Sequence, residues 1–166
     1  LGTSAVLREL VACASDGEVP AALRPQVLEV VDRLAEIIRD EQKAAGSDGP
    51  GRKPAVVVVD SRTRPRMVRQ LGHAVAARLG ARALGVVGLS GQEPPQHDVG
   101  SAFRLAQAAR SLTLRGWSAQ ALDELRERTV VLVDDWSDSG WTLTTAAFLL
   151  REAGAAAVHP FVLAQR

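Results

Sequence analysis

The chain has 166 residues, 46% apolar and 23% charged, with a net charge of +1. That length suits one domain burying roughly 70% of its unfolded surface, and the near-neutral charge gives no bulk pull toward nucleic acid. No apolar run nears the roughly 20 residues that span a bilayer, and the single Cys13 rules out an internal disulfide and suits a reducing cytoplasm. No His/Cys cluster has metal-ligand spacing.

In chain order, residues 3–13 read as a short amphipathic helix containing Cys13, and 15–20 as a turn. Leu23, Val27, Val30, Val31, Leu34, Ile37 and Ile38 recur at steps of three and four, which predicts a long helix over 23–42 with one apolar face. Gly and Pro make 44–54 a loop. Ala55–Val59 is an apolar, β-branched run ending in Asp60, as in a strand buried on both faces. Pro65 then suits the first turn of a helix whose inward face is Val68, Leu71, Val75 and Leu79. A third apolar run, 83–89, reads as a strand, and 90–100 as a loop carrying His97. Residues 101–115 fit helix or strand, and Ser118 caps a helix over 118–128. The run Val130–Val133 is another buried strand, Leu143–Ala153 a helix, and 156–165 a last strand. Strands alternating with helices predict an α/β fold with a doubly wound, mainly parallel sheet. It forms a single domain over 1–166, with a helical flank over 1–42 and the core over 55–166.

Two loops carry the chemistry. After Val133 come Asp134 and Asp135, then Ser137, Asp138, Ser139, Gly140 and Thr142. A strand, a small-residue loop and a helix place a ligand beyond the carboxyl end of a sheet. Free N–H groups at the helix start attract a phosphate, Gly140 permits close approach, and Ser139 and Thr142 add hydroxyls. Asp134 and Asp135 can accept hydrogen bonds from vicinal hydroxyls, so a 5-phosphorylated sugar fits. The second loop follows the first strand and holds Ser61, Arg62, Thr63, Arg64 and Arg66, with Arg69 one turn on. Its arginines are either a phosphate site or solvated charges on a helix start. Trp141 either stacks on a base at the ligand rim or folds back on the sheet edge. His73 and His159 read as structural.

The stretch TVVLVDDWSDSGWTLTT resembles the phosphoribosyl-diphosphate (PRPP) motif of type I phosphoribosyltransferases. That resemblance implies that Asp134 and Asp135 face the ribose hydroxyls, while Asp138, Ser139, Gly140 and Thr142 wrap the 5-phosphate. Asp138 would be the catalytic general base in an active enzyme, with Mg²⁺ arriving on PRPP. Ser61, Arg62 and Thr63 match the pyrophosphate loop without its usual small residues. The pairing of DSRTRPR with DDWSDSGWT looks most like the C-terminal phosphoribosyltransferase-like domain of actinobacterial RecQ DNA helicases. This implies an accessory domain, cut from a longer cytoplasmic chain, that grips DNA through Arg62, Arg64, Arg66, Arg69 and Trp141. The alternative is an active phosphoribosyltransferase, 6-oxopurine-like or ComF-like. A nucleotide sensor is a third reading.

Overall fold

The computed structural model describes residues 16–17, 19–44, 53–90 and 100–165. The expected helix over 3–13, Cys13 and His97 lie outside the described residues. After a single 3-10 turn at Ala21–Leu23, the elements are α1 (Arg24–Ala44), β1 (Ala55–Val59), α2 (Pro65–Leu79), β2 (Arg82–Leu89) and α3 (Ser101–Ser111). They continue with β3 (Leu112–Thr113), α4 (Ala119–Leu125), β4 (Thr129–Ser137), α5 (Trp141–Glu152) and β5 (Ala157–Gln165).

The five strands form one sheet in the order β3-β2-β1-β4-β5. All neighbours are parallel except β3, which runs antiparallel to β2. Every residue of β1 is buried because helices cover both faces. Val56 and Val58 pack with Val131, Val133, the α1 residues Val31 and Ile38, and the α2 residues Val68, Leu71 and Val75. Ala55, Val57 and Val59 pack on the opposite face with Val130, Leu132, Ala108 of α3, Leu125 of α4 and Ala146 and Leu150 of α5. The alternation of β1 and β4 between these two clusters is the period-two signature of a strand.

Sequence expectation and structure part at several points. The ambiguous span 101–115 divides into α3 and the short β3. The helix over 118–128 is shorter, since Glu127 takes a left-handed φ of 61°; its cap is Ser118, whose Oγ accepts the Ala121 N–H at 3.1 Å. The apolar stripe of α1 is narrower than its sequence suggests. Val31 and Ile38 are buried, whereas Val30 and Ile37, expected inward, are 53% and 46% exposed. Most consequentially, β4 runs on through Ser137, because Trp136 and Ser137 pair with Ala164 and Gln165 of β5. Asp134 and Asp135 therefore belong to the strand and not to the loop after it. Among the described residues no helix is long and apolar enough to cross a membrane.

Gly72 sets how closely α2 lies on the sheet. A Cβ placed there would sit 2.3 Å from Val58 Cγ1. Gly72→Ala is expected to destabilise the chain by about 1–3 kcal/mol through overpacking, read as a lower denaturation midpoint with an unchanged m-value. An unaltered midpoint would show that the contact relaxes freely.

Candidate active site

The chain leaves β1 toward β2 and β3 at one edge, then returns to the other side of β1 for β4. The connections after β1 and β4 thus diverge, and a crevice opens beyond their carboxyl ends. A cleft of about 960 Å³ lies there, floored by Val59 and Asp60 of the β1 end and by Asp134 and Trp136 of β4. Ser61, Arg62 and Thr63 form one rim, and Asp138, Ser139, Trp141 and Thr142 another. A smaller hollow of about 190 Å³ adjoins it, lined by Asp138, Ser139, Gly140 and Thr142 among others. Gly140 is the N-cap of α5 at φ 76°, with no side chain capping the helix and open space where a Cβ would stand. An uncapped helix start facing an empty hollow rimmed with hydroxyls has the chemistry of an anion seat.

The two adjacent acids are separated by the strand that carries them. Successive side chains of a strand point to opposite faces. Asp134 lines the cleft, whereas Asp135 faces the α2 side, where Arg64 Nε lies 2.6 Å from its Oδ2. The contact is a close ion pair, not an aligned hydrogen bond. Both carboxylates are buried, at 6% and 4% exposure. Asp134 Oδ1 accepts the Asp135 N–H at 2.8 Å. Burial, and then the neighbouring Asp135 charge, push the Asp134 carboxyl up from 3.8 to about 8. Strand geometry thus parts the two acids expected to face one ligand: of the two, Asp134 lines the cleft and Asp135 lies on Arg64.

The arginine loop is largely committed to the fold. Ser61 Oγ accepts the Arg64 N–H at 3.1 Å. Asp16 Oδ1 accepts the N–H groups of Arg66 and Met67, at 2.7 and 3.1 Å, so a distant carboxylate caps α2. Arg69 reaches Asp60 at 3.4 Å. Of the residues expected to touch DNA, Arg64 is drawn inward and Arg69 is paired, while Arg62 and Arg66 are exposed. Trp141 is half-buried, packs against the core under α5 and still lines the cleft. Trp136 is half-buried in the cleft floor. His73 is exposed on α2, and His159 Nε2 meets Glu41 at 3.0 Å. Among the described residues no cluster of His, Cys, Asp or Glu is placed to hold a metal ion.

Sequence reasoning missed the wall made by α3. Phe103, Arg104, Gln107, Arg110 and Ser111 all line the cleft. Their spacing of one, four, seven and eight is one face of a helix, a signal present in the sequence but masked by the competing strand pattern. Arg104 Nη1 contacts Asp138 Oδ2 at 3.0 Å, bridging this wall to the loop after β4. Asp16 carries no local signal, because its partner helix begins about 50 residues later.

Comparisons with known proteins agree with this geometry. A family model described as phosphoribosyl transferase domain matches residues 22–166. An adenine phosphoribosyltransferase of Mycolicibacterium smegmatis is 32% identical over 126 residues, covering 76% of this chain and 57% of that protein. The chain thus spans a little over half the length of that curated relative. A hypoxanthine phosphoribosyl transferase of Trypanosoma cruzi superposes with a TM-score of 0.56 at 15% identity, over 87% of this chain and 65% of that one. Hypoxanthine phosphoribosyltransferase from the same organism, in complex with the product IMP, gives 0.53 at 15% identity, over 87% and 66%. At such identities the structural likeness shows the fold alone.

The proton on Asp134 makes a stability prediction with a definite sign. Between 3.8 and about 8 the folded chain keeps a proton that the unfolded chain has lost. The contribution is full below pH 3.8 and is lost as pH rises toward 8. Asp134→Asn lacks this loss, so its melting temperature should gain on the native chain steadily across that window. Parallel melting curves would mean that Asp134 is not protonated in the native fold.

Proposed function

The chain belongs to the phosphoribosyl transferase domain family, and on that premise we propose that it binds PRPP as its Mg²⁺ complex and transfers the phosphoribosyl group to a purine. The observation that carries the reading is the small hollow over Gly140 opening onto the larger cleft beside Asp134. The 5-phosphate sits against Ser139, Gly140 and Thr142, and the ribose hydroxyls donate to Asp134. Ser61, Arg62 and Thr63 on the facing rim take the pyrophosphate. A ring nitrogen of the base then bonds to C1 of the ribose as the C1–O bond to pyrophosphate breaks. Asp138 accepts the proton that this nitrogen sheds. Mg²⁺, bound to the substrate rather than held by protein ligands, would offset negative charge on the leaving pyrophosphate. The purine class is supported by the 32% identity to an adenine phosphoribosyltransferase.

A DNA-gripping accessory domain of a RecQ-type helicase is less well supported. Its arginines are in part spent on Asp135 and Asp60, and the relatives described above are transferases. Arg62 and Arg66 are exposed and are the residues it would use. If it holds, replacing both with Ala should lower the log–log salt slope of single-strand binding by about one to two. An unchanged slope removes the DNA reading.

Titration with PRPP–Mg²⁺, followed by pyrophosphate release with adenine, hypoxanthine and guanine, tests the transferase reading. Gly140→Val should abolish PRPP binding, since a valine at φ 76° is strained and its side chain enters the space left for the phosphate. Asp138→Asn should keep PRPP affinity and lower turnover by about 10²–10⁴. Native protein that binds no PRPP, or Gly140→Val that binds it normally, contradicts the reading; binding without turnover on any purine reduces the domain to a nucleotide sensor.

A further inference from the structure

Arg64 is placed where no ligand in the cleft needs it. It stands at the start of α2, its side chain 14% exposed, with Nε 2.6 Å from Asp135 on the face of β4 turned away from the cleft. The neighbouring acid, Asp134, has no cation placed on it among the described residues. Two buried carboxylates one residue apart cannot both ionise cheaply, and a guanidinium on one of them decides which keeps the proton. We propose that Arg64 is a positioning residue: it fixes the charge of the acid pair on Asp135 and so leaves Asp134, on the cleft side, as the member that gives up a proton when a hydroxyl-bearing ligand binds.

The groups around Asp134 are consistent with this assignment. Asp60, Arg62, Arg104, Arg110 and Asp138 share its cleft, and Asp135 with Arg64 lies behind it. Arg104 contacts Asp138 and Arg69 contacts Asp60, so the charges nearest the cleft floor are partly matched elsewhere. The high proton affinity of Asp134 follows from burial first and then from the neighbouring Asp135. A carboxyl that is protonated near neutral pH must lose that proton before it accepts two ribose hydroxyls. Ligand binding then becomes linked to pH through a side chain that touches no ligand. This inference rests on the PRPP reading for the nature of the ligand, but not for the state of the acid pair.

The test begins without ligand. Carboxyl ¹³C titration of the full chain, with Asp134→Asn to assign the signal, should show Asp134 changing charge at about pH 8. Asp135→Asn removes the like charge and should move that step to acid by about one unit or more. Arg64→Met frees the proton to sit on either acid, so the amplitude of the Asp134 step should fall as Asp135 takes up part of it, whereas Arg64→Lys should keep the native step. An Asp134 step unchanged in position by Asp135→Asn and in amplitude by Arg64→Met overturns the proposal. So does Arg64→Lys behaving as Arg64→Met, because packing and not charge would then be at work. If Arg64→Met fails to fold, Asp135→Asn and Arg64→Lys decide alone. Calorimetry with PRPP–Mg²⁺ in buffers of differing ionisation heat reads the linkage. Near neutral pH the native chain should release about one proton on binding, and Asp135→Asn about half as many or fewer; equal release overturns the linkage. A native chain that binds no PRPP–Mg²⁺ refutes the proposed function, while the ligand-free titrations still judge Arg64.

Discussion

Burying two adjacent carboxylates at the end of an apolar strand is the constraint to which the rest of the site answers. Val130 to Val133 are fully buried, and β4 carries Asp134 and Asp135 straight on into the same low-dielectric layer. Desolvation and mutual repulsion both oppose ionising the pair. The strand resolves this by turning the two side chains to opposite faces, where they meet opposite fates. Asp135 gains a guanidinium and Asp134 opens on the cleft. Removing one partner of a buried ion pair typically costs about 3–5 kcal/mol, so α2 must deliver Arg64 to one place. Pro65 at the first helical turn, the Ser61 turn and the Asp16 cap all fix the segment that does so.

The same strand order that buries the acids also builds the ligand space. With β1 and β4 adjacent and their following helices on opposite faces, the two loops part and leave a cleft that neither fills. The anion seat needs no cation of its own, since it is made from an uncapped helix start and a glycine in the left-handed region. The Arg104–Asp138 contact ties the α3 wall to that loop, and on the proposed transferase reading it would be loosened or shared when a base reaches Asp138. On the same reading, ligand binding would be coupled to one wall through Arg104 and to the sheet beneath through Asp134.

Much of this was legible in the residues, for physical reasons that differ from place to place. The runs at 55–59 and 130–133 declare themselves because a parallel strand covered on both faces has no polar side to disguise it. Pro65 and Ser118 mark helix starts by local chemistry, and Gly140, read as a point of close approach, takes a left-handed φ of 76°. The extension of β4 to Ser137 was not legible, because Asp, Trp and Ser enter the ladder through pairing with β5 and not through any preference of their own. The wall of α3 was blurred by an Ala-rich pattern that fits two periods. The partners of Arg64 and Asp16 are set by tertiary placement alone, so an arginine that reads as a surface charge turns out to hold a buried acid.

A crystal structure of the chain with PRPP–Mg²⁺ tests the central claim most directly. The account predicts the 5-phosphate against Ser139, Gly140 and Thr142, the ribose hydroxyls within hydrogen-bond reach of Asp134, and Asp135 still on Arg64. A sugar phosphate bound elsewhere, or an Asp135 that leaves Arg64 to take the ribose, would contradict it.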